Sequence, residues 1–247
     1  MTDRRAELTA NLAAVRARIA AAAEAAGRVP ADVTLVAVSK TFPAADVVHL
    51  LDLGVTDFGE NRDKEAGAKA AEVGELAAGQ PPRWHFVGQI QRKKAKSVAW
   101  YADVVHSVDR PELADALGRA AVRAGRRIDA LVQVDLDSPG TGSGGSYQGR
   151  GGVRPNGVAE LAEYLADLPG LRLAGVMAIA PLEGDPEPAF ARLAVLAEGV
   201  RGIAAGAVAI SAGMSGDLEA AIRHGATHVR VGTALFGGRP IKSDHVR

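Results

Sequence analysis

The chain has 247 residues, of which 47% are hydrophobic, 23% charged and 4% aromatic, a composition typical of a globular protein and not of a disordered or fibrous one. Lysine plus arginine number 29 and aspartate plus glutamate also number 29, so there is no excess positive charge to attract a nucleic acid. The chain has no cysteine, which excludes disulfides, thiolate nucleophiles and cysteine-ligated zinc, and fits a reducing compartment.

The N-terminal segment is predicted to form an amphipathic helix. Thr2 is expected to cap its start and Gly27 to end it. Charged residues interrupt the apolar ones, so the segment is neither a secretory signal nor a membrane span. We therefore expect a cytoplasmic protein with no membrane partner. The apolar residues at helical spacing are Leu8, Leu12, Val15 and Ile19.

Short apolar strands and helices then alternate along the chain. The predicted strands span 33–38, 55–59, 84–88, 104–108, 130–136, 173–179, 207–211 and 228–231. The predicted helices between them span about 44–53, 63–78, 91–100, 111–125, 158–168, 188–204 and 217–224. Eight apolar strands separated by helices, with no break in composition, predict an α/β protein, a (β/α)8 barrel of the TIM type. We expect one domain over residues 1–247, with an inserted glycine-rich loop at 138–157.

Lys40 follows the first strand after one residue, Ser39, at the end of the barrel where functional residues lie. Desolvation beside the low-dielectric walls favours the neutral amine, which is the form that attacks a carbonyl group to give a Schiff base. A solvated lysine at a strand end is the competing interpretation, and position alone does not decide between the two.

A second candidate feature follows the last two strands. Ser211-Ala-Gly-Met-Ser-Gly-Asp217 runs into a helix, and Arg230-Val-Gly-Thr233 follows on the next strand. Serine hydroxyls, glycines that allow close approach and the N–H groups of a helix start suit a phosphate. Barrels often bind phosphate in the loops after strands seven and eight, which favours this interpretation over a helix that is merely capped.

The remaining polar residues are less informative. His224 and His228 are separated by a change from helix to strand, so we expect no metal site. His85 lies within a predicted strand, where it is either an interior histidine or a residue beside a ligand. Asp135 and Asp137 could do acid–base chemistry, although acidic residues before a glycine-rich loop are usually turn formers.

Taken together, these motifs resemble the pyridoxal phosphate-binding homeostasis family, whose barrel is similar to the N-terminal domain of alanine racemases. The matching stretches lie in order along nearly the whole chain: Ala37-Val-Ser-Lys-Thr41, Phe58-Gly-Glu-Asn61, Trp84-His-Phe-Val-Gly88, Val176-Met-Ala178, Ser211-Ala-Gly-Met-Ser215 with Asp217, and Val229-Arg-Val-Gly-Thr-Ala-Leu-Phe-Gly237.

The resemblance implies a fold-type III barrel that binds pyridoxal 5'-phosphate (PLP) as a Schiff base on Lys40. The two serines, the glycine and the threonine of the last loops would bind the phosphate, Arg230 would face the pyridine nitrogen, and Asn61 and His85 would line the ring. An arginine at that nitrogen keeps it unprotonated and weakens the ring as an electron sink. The residues implied to bind the cofactor are Lys40, Asn61, His85, Ser211, Ser215, Arg230, Gly232 and Thr233.

The chain departs from the family after the fifth strand. Relatives have a short acidic turn leading to a lysine there, whereas this glycine-rich segment ends in Arg150-Gly-Gly152. An arginine keeps the charge but does not readily form an imine. The resemblance therefore supports no second cofactor site or transfer role at this position.

Racemases of this fold carry a further β domain with a tyrosine base, and this chain ends about 16 residues after the last predicted strand. We therefore predict a non-catalytic, monomeric PLP homeostasis protein that buffers PLP or delivers it to PLP-dependent apoenzymes. One alternative is a PLP-dependent amino-acid racemase, whose second acid–base group would be His85, Asp135 or Tyr147. The other is a barrel that binds a different phosphorylated metabolite without a covalent bond.

Overall fold

Eight parallel strands close into a barrel in a computed structural model that describes residues 3–77, 79, 81–136, 151–181 and 183–238. The strands follow one another in chain order, and the last pairs with the first. They are β1 (Thr34–Val38), β2 (Asp57–Glu60), β3 (Arg83–Phe86), β4 (Val104–Val108), β5 (Ile128–Val134), β6 (Leu171–Ala178), β7 (Ala209–Ser211) and β8 (His228–Val231). The predicted (β/α)8 barrel is confirmed, and its extent as one domain over 1–247 stays a prediction.

Helices alternate with the strands, as predicted. They are α1 (Arg4–Ala25), α2 (Ala44–Asp52), α3 (Asp63–Leu76), α4 (Ala95–Tyr101), α5 (Pro111–Arg123), α6 (Val158–Ala166), α7 (Glu187–Ile203), α8 (Leu218–Arg223) and α9 (Thr233–Phe236). The last of these was not predicted, because four residues are too few to show a helical period.

The extra N-terminal helix is confirmed as α1. Its predicted cap is wrong: Asp3 precedes the first helical residue, and its carboxylate accepts a hydrogen bond from the Arg5 amide at 3.1 Å; Thr2 lies outside the described residues. The Asn11 side chain donates to the Leu235 carbonyl at 2.9 Å, so α1 is tied to the helix that follows the last strand. The predicted apolar stripe is buried: Leu8, Leu12, Val15 and Ile19.

Six strands begin one or two residues away from the predicted position, and two of these shifts have a local reason. Val55 was assigned to the second strand, but its amide donates back to the Leu50 carbonyl and so belongs to the turn after α2. The fifth strand begins earlier than predicted, at Ile128. Its polar Asp129 is accommodated because Arg172, on the adjacent β6, donates to its carboxylate.

Part of the predicted glycine-rich loop packs on the barrel. Residues 138–150 of that loop lie outside the described residues, whereas the segment that follows returns to β5. Val153 pairs with Val134 in a parallel bridge. Gly152 has φ of +129°, and a Cβ there would lie 2.6 Å from the Asp135 amide nitrogen, so only glycine fits this close approach.

Candidate functional site

A cavity of about 480 Å³ opens at the C-terminal ends of the strands, a volume typical of small-molecule sites. It brings together six of the eight predicted residues: Lys40, Asn61, Ser215, Arg230, Gly232 and Thr233. These residues come from the ends of β1, β2, β7 and β8, because the carboxyl ends of parallel barrel strands share one rim.

The turn that carries Lys40 is held from both sides by α3. Lys40 itself is half-buried. On one side of it, Lys69 Nζ donates to the Ser39 carbonyl at 2.7 Å. On the other side, the Thr41 amide donates to the Glu65 carboxylate. Thr41 has φ of +71°, a strained conformation for a β-branched residue that the surrounding contacts must maintain.

An ion pair buried behind β2 supports this turn, and we call it the Glu60–Lys69 pair. Lys69 Nζ lies 2.6 Å from Glu60 Oε1, and the Ser39 hydroxyl donates to the same oxygen at 2.7 Å. Glu60 is 0% and Lys69 5% exposed. Burial raises the pKa of Glu60, and the contact with Lys69 acts against that shift. The sequence analysis did not identify this pair.

Arg230 presents its guanidinium to the cavity from a buried position on β8. It is 4% exposed, and burial lowers its pKa to about 10, so it remains a cation at neutral pH. Nη1 donates to Ser211 Oγ at 2.7 Å, and Nη2 donates to the Ala178 carbonyl at 2.9 Å. Contacts with β7 and β6 therefore fix the plane of the guanidinium.

The loops after β7 and β8 form the opposite wall and are linked to each other. The Ala234 amide donates to Ser215 Oγ at 3.3 Å. Asp217 Oδ1 accepts from the Met214 amide at 2.6 Å, which closes the first loop into a tight turn. Arg18 of α1 donates to the Ser215 carbonyl at 3.0 Å. The N-terminal helix thus supports this wall from outside.

Two buried polar atoms of the cavity make no hydrogen bond to any described residue. They are Thr41 Oγ1 and Asn61 Oδ1. Buried polar atoms in native proteins are nearly always paired. These two therefore mark the cavity as a site that a polar ligand completes.

His85 and Ser211 are predicted site residues that the structure does not bring to the cavity wall. Both are buried in the barrel interior, His85 with 1% and Ser211 with 0% of its surface exposed. The Ser211 hydroxyl accepts from Arg230, and His85 contacts Asp57 and His106. Both residues therefore reach the cavity only through other side chains.

Of the other acid–base candidates, Asp135 is described by the structure, and it is not on the cavity wall. The Asp135 amide donates to the Val153 carbonyl, and its side chain is not among those lining the cavity. Asp137, Tyr147 and Arg150 lie outside the described residues. Within the described ranges, no group of three histidine, cysteine or acidic side chains is placed to bind a metal ion.

None of the described helices has both the length and the apolar character needed to cross a bilayer.

This barrel and its rim cavity define a known class of domain. The model of the alanine racemase N-terminal domain matches residues 10–240. The chain is 45% identical to the pyridoxal phosphate homeostasis protein of Mycobacterium tuberculosis, over 98% of this chain and 96% of the relative. It is 36% identical to the protein of that name from Escherichia coli K12, over 94% and 97%. The chain therefore belongs to the alanine racemase N-terminal domain family and, within it, to the pyridoxal phosphate homeostasis proteins.

Solved structures agree with this assignment. PipY of Synechococcus elongatus, whose structure is known with and without PLP, is 33% identical to this chain. With PLP bound it has a TM-score of 0.78, over 93% of this chain and 100% of PipY. Alanine racemase from Corynebacterium glutamicum has the same fold, with a TM-score of 0.64 at 16% identity, and this chain covers 63% of it.

Proposed function

We propose that the protein binds pyridoxal 5'-phosphate in the rim cavity, as a Schiff base on Lys40, and serves the homeostasis of this cofactor. The observation that carries the proposal is the convergence of an amine, a buried guanidinium and two unpartnered polar atoms in one small cavity. The names of its relatives and the PLP complex of PipY support the proposed PLP binding and the role in homeostasis.

The donor set fits the two ends of this cofactor. The hydroxyls of Ser215 and Thr233 suit the phosphate. Next to them a Cβ added at Gly216 would meet no atom within 4 Å, and one at Gly232 none closer than 3.5 Å, so the glycines leave space beside the backbone for phosphate oxygens. Arg230 suits the pyridine nitrogen as a charged donor.

The polar groups beside Lys40 suit the rest of the ring. Asn61 offers an amide and Thr41 a hydroxyl, each with a buried oxygen that makes no hydrogen bond to the described residues. The cofactor itself supplies an aldehyde that condenses with a neutral amine. The protein holds the Lys40 backbone, shields part of the half-buried Lys40 side chain from water and orients the ring.

We propose that the protein holds PLP without turning over a substrate. Among the described residues that line the cavity, the ionisable ones are Lys40 and Arg230. Racemisation needs a second group that gives or takes a proton on the opposite face of the substrate, and a guanidinium with a pKa of about 10 does not serve as that base at neutral pH. The lining therefore favours storage or delivery over the racemase alternative.

We further propose that the protein is a cytoplasmic monomer and that PLP-dependent apoenzymes receive the cofactor. The cysteine-free sequence suits a reducing compartment. Large exposed apolar side chains in the described part of the chain are scattered over separate elements, among them Trp100 on α4 and Val195 on α7, and scattered residues of this kind do not form a subunit interface.

Borohydride reduction tests the covalent site. The purified protein is incubated with PLP, reduced and digested, and the modified peptide is identified by mass spectrometry. We expect one adduct, on Lys40, and its loss in Lys40→Ala. Lys96→Ala, at an exposed position on α4, is the matched control and should keep it. An adduct that survives Lys40→Ala, or no adduct at all, contradicts the proposal, and PLP that binds without an adduct favours a non-covalent barrel.

A further inference from the structure

A line of buried polar side chains runs through the barrel interior, and we call it the histidine chain: Arg230, Ser211, His106, His85 and Asp57. Beyond the bond from Arg230 to Ser211, the Ser211 hydroxyl lies 2.9 Å from His106 Nδ1. His106 Nε2 lies 2.8 Å from His85 Nδ1, and His85 Nε2 lies 2.8 Å from Asp57 Oδ1. Four of the five residues are at most 4% exposed.

The histidine chain joins opposite ends of the barrel. Arg230 lines the rim cavity, whereas Asp57 begins β2 and lines a second cavity, of about 460 Å³, at the N-terminal end of the strands. Asp57 is half-buried, and the Thr56 hydroxyl donates to its other oxygen at 2.6 Å. The far end of the chain is therefore close to solvent, and the near end is at the proposed cofactor site.

All hydrogen bonds of the histidine chain can form if every group donates in the same direction. An ionised Asp57 accepts from His85 Nε2–H, which leaves His85 Nδ1 as an acceptor if the ring is neutral. His106 then donates from Nε2 and accepts at Nδ1. Ser211 donates its hydroxyl proton to His106 and keeps its lone pairs for Arg230. Each group thus donates towards Asp57.

If the groups donate in the reverse direction, the Ser211 hydroxyl has no acceptor for its proton. If His106 donated from Nδ1, Ser211 Oγ would accept from both His106 and Arg230. Neither of these two groups could then accept the proton of the Ser211 hydroxyl. A buried hydroxyl without an acceptor is unfavourable, so the first direction is preferred.

The ionisation preferences of the residues agree with this direction. Burial tends to raise the pKa of Asp57, but hydrogen bonds from His85 and Thr56 outweigh it and lower the pKa. Burial lowers the pKa of His85, and it holds that of His106 well below the usual value. An ionised carboxylate and two neutral imidazoles are the state that the one-way chain requires.

We propose that His85, His106 and Ser211 are positioning residues that hold Arg230 for the cofactor, and that Asp57 sets their tautomers from the other end of the barrel. The inference rests on the proposed function. It gives the two predicted residues that are absent from the cavity wall, His85 and Ser211, an indirect role. Removing the carboxylate should change the cofactor environment although Asp57 is not among the residues that line the rim cavity.

The test is a double-mutant cycle read by the absorption maximum and the dissociation constant of bound PLP. Asp57→Ala and Ser211→Ala should each shift the maximum and weaken binding by roughly three- to tenfold, the size of one hydrogen bond. The double variant should bind PLP no more weakly than the weaker-binding of the two single variants, because both substitutions disrupt the same histidine chain. Asp32→Ala removes an exposed carboxylate just before β1; it is the matched control and should leave both values unchanged. If the effects of the two substitutions on the dissociation constant multiply, or if the absorption maximum of bound PLP does not change, the inference is wrong.

A second measurement uses the cofactor-free wild-type protein and does not depend on the variants folding. Nitrogen NMR of labelled histidine should show His85 and His106 as neutral rings protonated at Nε2. A ring protonated at Nδ1, or at both nitrogens, overturns the inference. If the wild type takes up no PLP, the proposed function fails, and the observed tautomers then decide whether the chain is ordered as argued.

Discussion

The barrel wall separates two groups of buried polar residues that differ in kind. Asp57 and Glu60 are both on β2, and the two-residue period of a strand places them on opposite faces. Asp57 begins the histidine chain inside the barrel, whereas Glu60 pairs with Lys69 of α3 outside it. The outer group is a compact ion pair that holds the Lys40 backbone. The inner group is a long chain with neutral rings at its middle that holds Arg230.

The two groups of buried residues position Lys40 and Arg230 in different ways. A backbone turn is fixed well by strong local charges, because Lys69 and Glu65 reach the peptide groups on both sides of Lys40 directly. A guanidinium at the end of a long side chain needs support along its length, and neutral hydrogen-bonded groups supply it without a further buried charge. Disrupting the outer group should therefore affect mainly stability and the reaction of Lys40, and disrupting the inner group mainly the ring environment.

The largest expected effect comes from breaking the Glu60–Lys69 pair. Lys69→Met leaves Glu60 buried without its partner and should lower the free energy of unfolding by about 3–5 kcal/mol. Urea denaturation measures it. The Lys69→Met/Glu60→Gln double variant removes both charges and should recover much of the loss. A loss below about 1 kcal/mol in the single variant would show that the pair is not an effective ion pair.

The next effect concerns the histidines of the interior and appears at low pH. Burial lowers the pKa of His228, which lies beside the chain, to about 4. A base with a depressed folded pKa stabilises the fold above its unfolded pKa of about 6.5, and that contribution is lost as the pH falls towards 4. For His228 alone the loss is roughly 3 kcal/mol.

Urea denaturation at a series of pH values between 7 and 4 checks this. His228→Gln should flatten the pH dependence by about that amount, while carboxylate titration still contributes below pH 5. If wild type and variant depend equally on pH, the pKa of His228 is the same in the folded and unfolded states, and the prediction fails.

A smaller effect, on the rate at which the Lys40 adduct forms, distinguishes the outer group from the histidine chain. Glu65→Gln weakens the contact with the Thr41 amide and should slow formation of the Lys40 adduct by roughly three- to tenfold, since a charge-assisted hydrogen bond becomes a neutral one. The absorption maximum of bound PLP should stay unchanged, in contrast to Asp57→Ala. Stopped-flow absorbance measures both. Glu72→Gln, at an exposed position on the same helix, is the control, and an equal slowing there would contradict a specific role for Glu65.

Much of the fold and part of the site follow from sequence patterns. Strand order in a barrel determines which residues share a rim, so residues far apart in the chain, such as Lys40 and Arg230, could be placed together. The Glu60–Lys69 pair was missed, although a signal exists. Lys69 interrupts the buried stripe of α3 between Ala66 and Val73, and a lysine in an apolar stripe indicates a buried partner.

The sequence left open whether His85 and Ser211 line the cavity, because this depends on their depth within the barrel. His85 lies inside β3 and Ser211 is the last residue of β7, so their side chains point into the interior below the rim. Arg230 also belongs to a strand, yet its long side chain lines the cavity. Motif matching assigns all three to one ligand, whereas side-chain length and strand pleating decide which of them line the cavity.

The contacts between α1 and the chain after β8 have a consequence for biosynthesis. Arg4 donates to the carbonyl of Phe236 across a sequence separation of 232 residues, and Asn11 donates to that of Leu235 across 224. Both acceptors belong to α9, which directly follows Gly232 of the cavity wall. The ribosome must therefore synthesise nearly the whole described chain before this wall can assemble. We therefore expect the proposed cofactor site to be complete only after synthesis has passed α9.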